Sequence, residues 1–284
     1  GLVNASFSAT DTTVTVASFS ATGGFNDLVF NQSPFINLLT NGDLIVTSMT
    51  VPAGDQTGRV PPFSCCNVIQ GLPVTVQASG ALTVSNYTRT AGALAKATTF
   101  NAIGGTLTLG TINGDRDSIT ASGRDTVTVN NLSTAGNVSV TSSPSATAFG
   151  NVILDRINSS AGSVSVTGTS GTISSLIDSG AVEITASTSA TLSAVSIGTL
   201  ASSRPFDIAA NSVSLTANGS AAGTGYIGSG SSPTNPVVAS TSQLTINATR
   251  QFNVDTGAVP LVNLTVTATP SGVTNGGTAR VASS

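Results

Sequence analysis

The densest group of chemically capable side chains is Asn113-Gly114-Asp115-Arg116-Asp117, with Arg124-Asp125 close behind. Asp115 and Asp117, two residues apart, can offer two carboxylates to a calcium ion or serve as an acid pair in hydrolysis. The spacing equally suits a corner turn in which the aspartates accept backbone N–H groups and Arg116 and Arg124 pair with them at the surface. The turn is the expected arrangement, with a metal site at Asp115 and Asp117 as its alternative. Asp155-Arg156 can extend a surface ion ladder. Tyr87 and Arg89 form the other candidate pair: an aromatic ring and a cation on a sugar-binding face, or rim packing.

Other chemistry has little to work with. The chain has no His, so Ser or Cys nucleophiles lack their usual base and zinc sites lose their commonest nitrogen ligand. Cys65 and Cys66 are adjacent and cannot cross-link distant segments; two inert thiols, a vicinal disulfide and a redox or metal role all stay open. The remaining acids lie far apart in sequence. The expectation is a protein that is not an enzyme and carries no cofactor.

The elements that position these residues follow from composition. Of 284 residues only 7% are charged, with a net charge of -3, while 39% are hydrophobic and 4% aromatic. Ser and Thr supply the polarity, at roughly 30% of the chain against the quarter of charged residues in ordinary domains. Disorder does not fit this apolar content, and the absence of a basic excess argues against nucleic acid as a partner. No window is apolar enough for a spanning helix, so membrane insertion is not expected, and any signal peptide is expected to lie outside the sequence.

Short runs of alternating apolar and small polar residues recur behind a turn residue. Gly80-Ala81-Leu82-Thr83-Val84, Gly105-Thr106-Leu107-Thr108-Leu109, Gly136-Asn137-Val138-Ser139-Val140 and Gly180-Ala181-Val182-Glu183-Ile184 are examples. Period two with Val, Ile and Thr reads as strands of about three to five residues with one buried face. Their spacing suits coils of about 20 to 25 residues carrying two or three strands each, with single apolar residues such as Ile112, Ile119, Leu132, Ile157 and Val195 filling corners. The predicted fold is all-β: a right-handed parallel β-helix over residues 1–284, with tandem β-sandwiches as the alternative. Two stretches interrupt it, a Pro-rich excursion over 51–73 and a Gly-rich one over 217–242. The Phe-richer start, before Gly80, suggests wider coils or different packing.

The runs Ala135-Gly136-Asn137-Val138-Ser139-Val140-Thr141, Ala161-Gly162-Ser163-Val164-Ser165-Val166-Thr167 and Ser179-Gly180-Ala181-Val182-Glu183-Ile184-Thr185 resemble the repeats of filamentous haemagglutinin-like exoproteins. The resemblance covers about half the chain, from Gly80 to Thr216. It implies a passenger exported through an outer-membrane pore by two-partner secretion, displayed at the bacterial surface as a stalk and binding face for a host or bacterial receptor or glycan. The Asn-Pro-Asn motifs that would mark the family's secretion domain are lacking, so an interior or distal segment is expected. Polysaccharide-degrading enzymes and phage-tailspike-like fibres are alternatives on the same fold. A further one is an ice-binding solenoid, raised by Thr106-Leu107-Thr108 and Thr126-Val127-Thr128; at that interval Ala146-Thr147-Ala148 would break the rank.

Overall fold

Strand runs that each have one apolar face must bury that face against something, and in this chain they bury it against one another around a closed coil. A computed structural model describes residues 3–7, 13–20, 36–53, 56–59, 67–70, 73–176, 182–198, 206–217, 237–240, 243–248, 252–255, 263–268 and 279–282. Among these residues twenty-two strands form one sheet in which every pairing is parallel. Parallel neighbours far apart in sequence, with no helical crossover among the described residues, define a parallel β-helix. Val138–Ser143 and Val164–Ser175 run parallel, with Val138 beside Val164 and Val140 beside Val166. Tandem sandwiches would have paired them antiparallel.

Three stacks make three faces. On the first, Leu82, Leu107, Val127, Val152 and Ile173 succeed one another in register. On the second the order is Met49, Tyr87, Ile112, Leu132, Ile157, Ile184 and Ile208. The third runs Ile36, Val74, Thr98, Ile119, Val138, Val164, Ala190 and Val213. Every side chain in these columns is buried, so the core is a set of aligned rows and each coil shields the next. Successive coils take about 20 to 26 residues where the stacking is most regular.

The departures from expectation have physical causes. Several strands exceed the predicted three to five residues, up to the 14 of Ile184–Ile197, because the ladder continues around a corner through a register shift between Ala186 and Ser189. Corners are turned at positive φ by Asp115, Asp125 and Ser170 as well as by Gly198. Before Gly80 the same three stacks continue with wider coils: Leu44–Val46, Met49–Val51 and Ile36–Thr40 sit in register under the later rungs. Val195 is only half-buried, whereas Ser196 and Ile197 turn inward. Val182 is 38% exposed while Glu183 is 2% exposed, an inversion of the expected beat at that run.

The 51–73 excursion leaves the rod between Pro52 and Pro73. Gln56–Arg59 and Asn67–Gln70 pair antiparallel as a separate two-stranded hairpin. Cys65 and Cys66 lie outside the described residues, as do 218–236 of the second excursion.

Candidate functional site

The four candidate site residues lie on two successive coils, and three of them meet inside the rod. Along Leu82–Arg89 the alternation breaks at Ser85-Asn86, both outward to some degree, so that Tyr87 and Arg89 point inward with Leu82 and Val84. Tyr87 is 0% and Arg89 2% exposed. They are inside the rod, not on an outer face where a sugar could meet them.

Asp117 enters from the next coil, one residue before Ser118–Arg124. Its Oδ2 accepts from Arg89 Nε at 2.6 Å, and neither side chain is exposed. Thr98 donates its hydroxyl to the same oxygen and accepts from Arg89 Nη2 at 3.2 Å. Tyr87 Oη lies 2.9 Å from Thr98 Oγ1 and 3.3 Å from Asp117 Oδ2. The Tyr87 ring meets Phe100 edge-on at 5.4 Å between centroids. Arg89 Nη1 donates to the carbonyl of Pro52, where the hairpin excursion leaves the coil. Above and below, Met49, Val74, Ile112 and Ile119 close the cluster with apolar side chains. Asp117 Oδ1 is buried without a hydrogen-bond partner among the described residues.

This enclosure sets the chemistry. Burial pushes the Tyr87 phenol far above its usual range, the Arg89 charge only partly opposing, so the hydroxyl stays protonated. Asp117 is committed to a charge-assisted pair inside the core, where one partner alone would be very costly.

Asp115 parts from Asp117 at the corner. It takes φ 52° and its Oδ2 accepts from the Gly92 N–H at 2.9 Å, while Asn113 Oδ1 accepts from the Asp115 N–H. The expected turn is therefore present with one aspartate turned in, and a calcium ion would have to compete with these contacts. Among the described residues no group of three or more His, Cys, Asp or Glu side chains is gathered. Arg116 donates to the Ala93 carbonyl, and Arg124 is exposed with no acid partner among the described residues. The expected surface pairing of Arg116 and Arg124 with the aspartates does not form.

A second inward acid, Glu183, was expected to point outward. Its Oε1 accepts from Ser175 Oγ at 2.9 Å and its Oε2 from the Asp207 N–H at 2.6 Å, and burial raises its pKa.

The outer third face went unnoticed in the sequence. Thr99, Thr120, Ser139, Ser165, Thr191, Ser214, Thr245 and Thr265 form one outward column in register. Two residues further along each strand, Asn101, Ser122, Thr141, Thr167, Ser193 and Thr216 form a second. None of these is charged, and side-chain bonds join neighbours: Ser122 Oγ donates to Asn101 Oδ1 at 2.9 Å, and Asn101 Nδ2 to Gln77 Oε1 at 3.1 Å. The signal was present in the S-V-S-V-T runs, whose outward positions repeat as faithfully as the inward ones. On the first face Thr83, Thr108 and Thr128 do stack, and Ile153 follows them. The triplet Ala146-Thr147-Ala148 lies in a corner loop outside that rank.

Fold and surface together define a parallel β-helical rod with a polar clamp in its core and a hydroxyl-covered flank. Comparison with family models, with curated proteins and with solved structures finds no match to the chain.

Proposed function

We propose that the chain is a structural and adhesive segment of a large secreted bacterial surface protein, a rigid stalk whose flank and hairpin present binding surface to host cells, other bacteria or glycans. The observation that supports this reading is the uncharged, hydroxyl-rich third face, held in register by a ladder that continues coil after coil. Such a surface carries many weak polar donors and acceptors at fixed spacing, suited to hydroxylated ligands met at many points at once. The hairpin that follows Pro52, whose carbonyl Arg89 holds, adds a second candidate contact. Export through a partner pore rests on the repeat resemblance, and a low-charge chain with parallel coils suits threading unfolded and stacking afterwards.

The test is retention of the purified protein on a glycan array and on bacterial and epithelial cells, beside a variant lacking residues 54–72. Saturable binding that the deletion or third-face substitutions weaken supports the reading. No retention on any surface overturns it, and release of reducing ends from a bound polysaccharide moves the assignment to an enzyme.

One observation favours a second reading. Two outward columns of Thr and Ser, with rungs about 4.8 Å apart along the rod and columns about 6.8 Å apart across it, form a two-dimensional array of hydroxyls. An array of that kind can order a water layer and bind ice. Thermal hysteresis or inhibited ice recrystallisation, abolished by Ser165→Tyr and Thr191→Tyr, supports it; ice growth unaffected by the protein removes it.

A further inference from the structure

At one edge of the third face the regular surface gives way to an open hollow of about 360 Å3. Its walls include Asn101 and Ser122 from the second outward column, Ser143, the apolar Ile103 and Pro144, and Arg124. Gly123 shapes it. A Cβ there would stand 2.9 Å from both Leu107 Cβ and Val127 Cγ2, so the strand end runs close against the core and the surface beside it sinks.

A charged residue on the wall of this hollow is unusual for this molecule. Arg124 is exposed, has no acid partner among the described residues, and borders two columns that contain no charge at all. An arginine kept only for solubility needs neither a concave setting nor polar neighbours with spare capacity. Asn101 uses one amide hydrogen on Gln77 and retains the other, while Ser122 donates to Asn101 and keeps its lone pairs. Ile103, 52% exposed, and Pro144 add an apolar wall.

We infer that this hollow is a binding subsite for a carboxylated sugar residue of a polysaccharide. A guanidinium takes a carboxylate through two parallel N–H donors; the Asn101 amide and the Ser122 and Ser143 hydroxyls take ring hydroxyls; and Ile103 with Pro144 takes the C–H face of the ring. The assignment rests on the adhesive reading and narrows it to acidic glycans.

Saturation-transfer NMR with sodium glucuronate tests it, with glucose and acetate as partial ligands. The expected dissociation constant for one sugar is about millimolar, and glucose and acetate, each offering half the contacts, bind about tenfold more weakly. Arg124→Gln weakens glucuronate about tenfold; Arg124→Lys falls between, since an ammonium cannot make the paired contact. Arg156→Gln, an exposed arginine on the second face, leaves binding unchanged. Glucuronate binding that survives Arg124→Gln, or acetate and sulfate binding as well as glucuronate, overturns the inference. Retention on a polygalacturonate surface is read in parallel. Adhesion to glycans with no glucuronate effect at Arg124 removes the subsite and leaves the adhesive reading standing. Glucuronate bound at Arg124 without adhesion to any surface does the reverse.

Discussion

Arg89 Nε and Asp117 Oδ2 stand 2.6 Å apart in the interior of the rod, contributed by successive coils and shielded completely from solvent. Because Arg89 also holds the Pro52 carbonyl, it links three successive rungs: that of Pro52, where the excursion begins, its own, and that of Asp117. Removing one partner strands the other charge, so Asp117→Ala or Arg89→Met alone is expected to cost about 3–5 kcal/mol in denaturant unfolding. Replacing both, Arg89→Met with Asp117→Leu, is expected to recover most of that loss, since apolar side chains of similar volume suit the surrounding Met49, Val74 and Ile119. A double variant as unstable as the worse single one would show that the hydrogen bonds of Tyr87 and Thr98, not the charges, set the energy.

Glu183 makes the rod sensitive to pH in a particular direction. Burial raises its folded pKa above the unfolded value, so between the two values the folded state binds more proton. Its contribution to stability is therefore fully present below the unfolded pKa and is lost as pH rises through the folded one. Urea unfolding from acid to neutral pH is expected to show wild-type stability falling over that window. Glu183→Gln, which can still accept the Asp207 N–H and donate to Ser175, is expected to remove that slope and to equal or exceed the wild type at pH 7. An unchanged slope would place the titration elsewhere.

Most of the fold was legible because period two and parallel stacking reinforce one another. Leu82, Leu107 and Val127 open runs of the same alternating pattern, and they are in register. What escaped was phase at the corners. Two successive outward residues, Ser85 and Asn86, turn Tyr87 and Arg89 from an imagined outer face to the inner one, and the reverse slip at Val182 buries Glu183. Corner geometry depends on backbone contacts between coils, which no single run encodes. The spacing of Asp115 and Asp117 likewise suggests one unit, whereas with a positive φ at Asp115 the two carboxylates serve different partners, Gly92 and Arg89. The hydroxyl columns escaped for a different reason: coils of unequal length displace equivalent residues by unequal steps.

Gly136 offers a test of how tightly the coils stack at a corner. A Cβ there would lie 2.3 Å from the Asp117 carbonyl oxygen and 2.5 Å from its carbon, backbone atoms that cannot swing away. Gly136→Ala is expected to cost about 1–3 kcal/mol through overpacking and to raise amide exchange at Asp117 and Ser118 before distant coils respond. Full stability with undisturbed exchange would mean that the coils separate more readily than their spacing suggests.

Asp115 separates the corner from the metal reading. Its left-handed backbone is tolerated by Asp and Asn but not by β-branched residues, and its carboxylate serves the Gly92 N–H. Asn reproduces both properties without the charge, so Asp115→Asn is expected to stay within about 0.5 kcal/mol of the wild type in thermal or urea unfolding. Asp115→Val is expected to lose about 1–3 kcal/mol, from the strained φ and the abandoned N–H together. Added Ca2+ or EDTA is expected to leave the unfolding midpoint of both wild type and Asp115→Asn unchanged. A calcium-dependent rise in the wild type that Asp115→Asn abolishes would restore the ion to this corner, because only a ligand that binds the folded state through that carboxylate shifts the midpoint in this way.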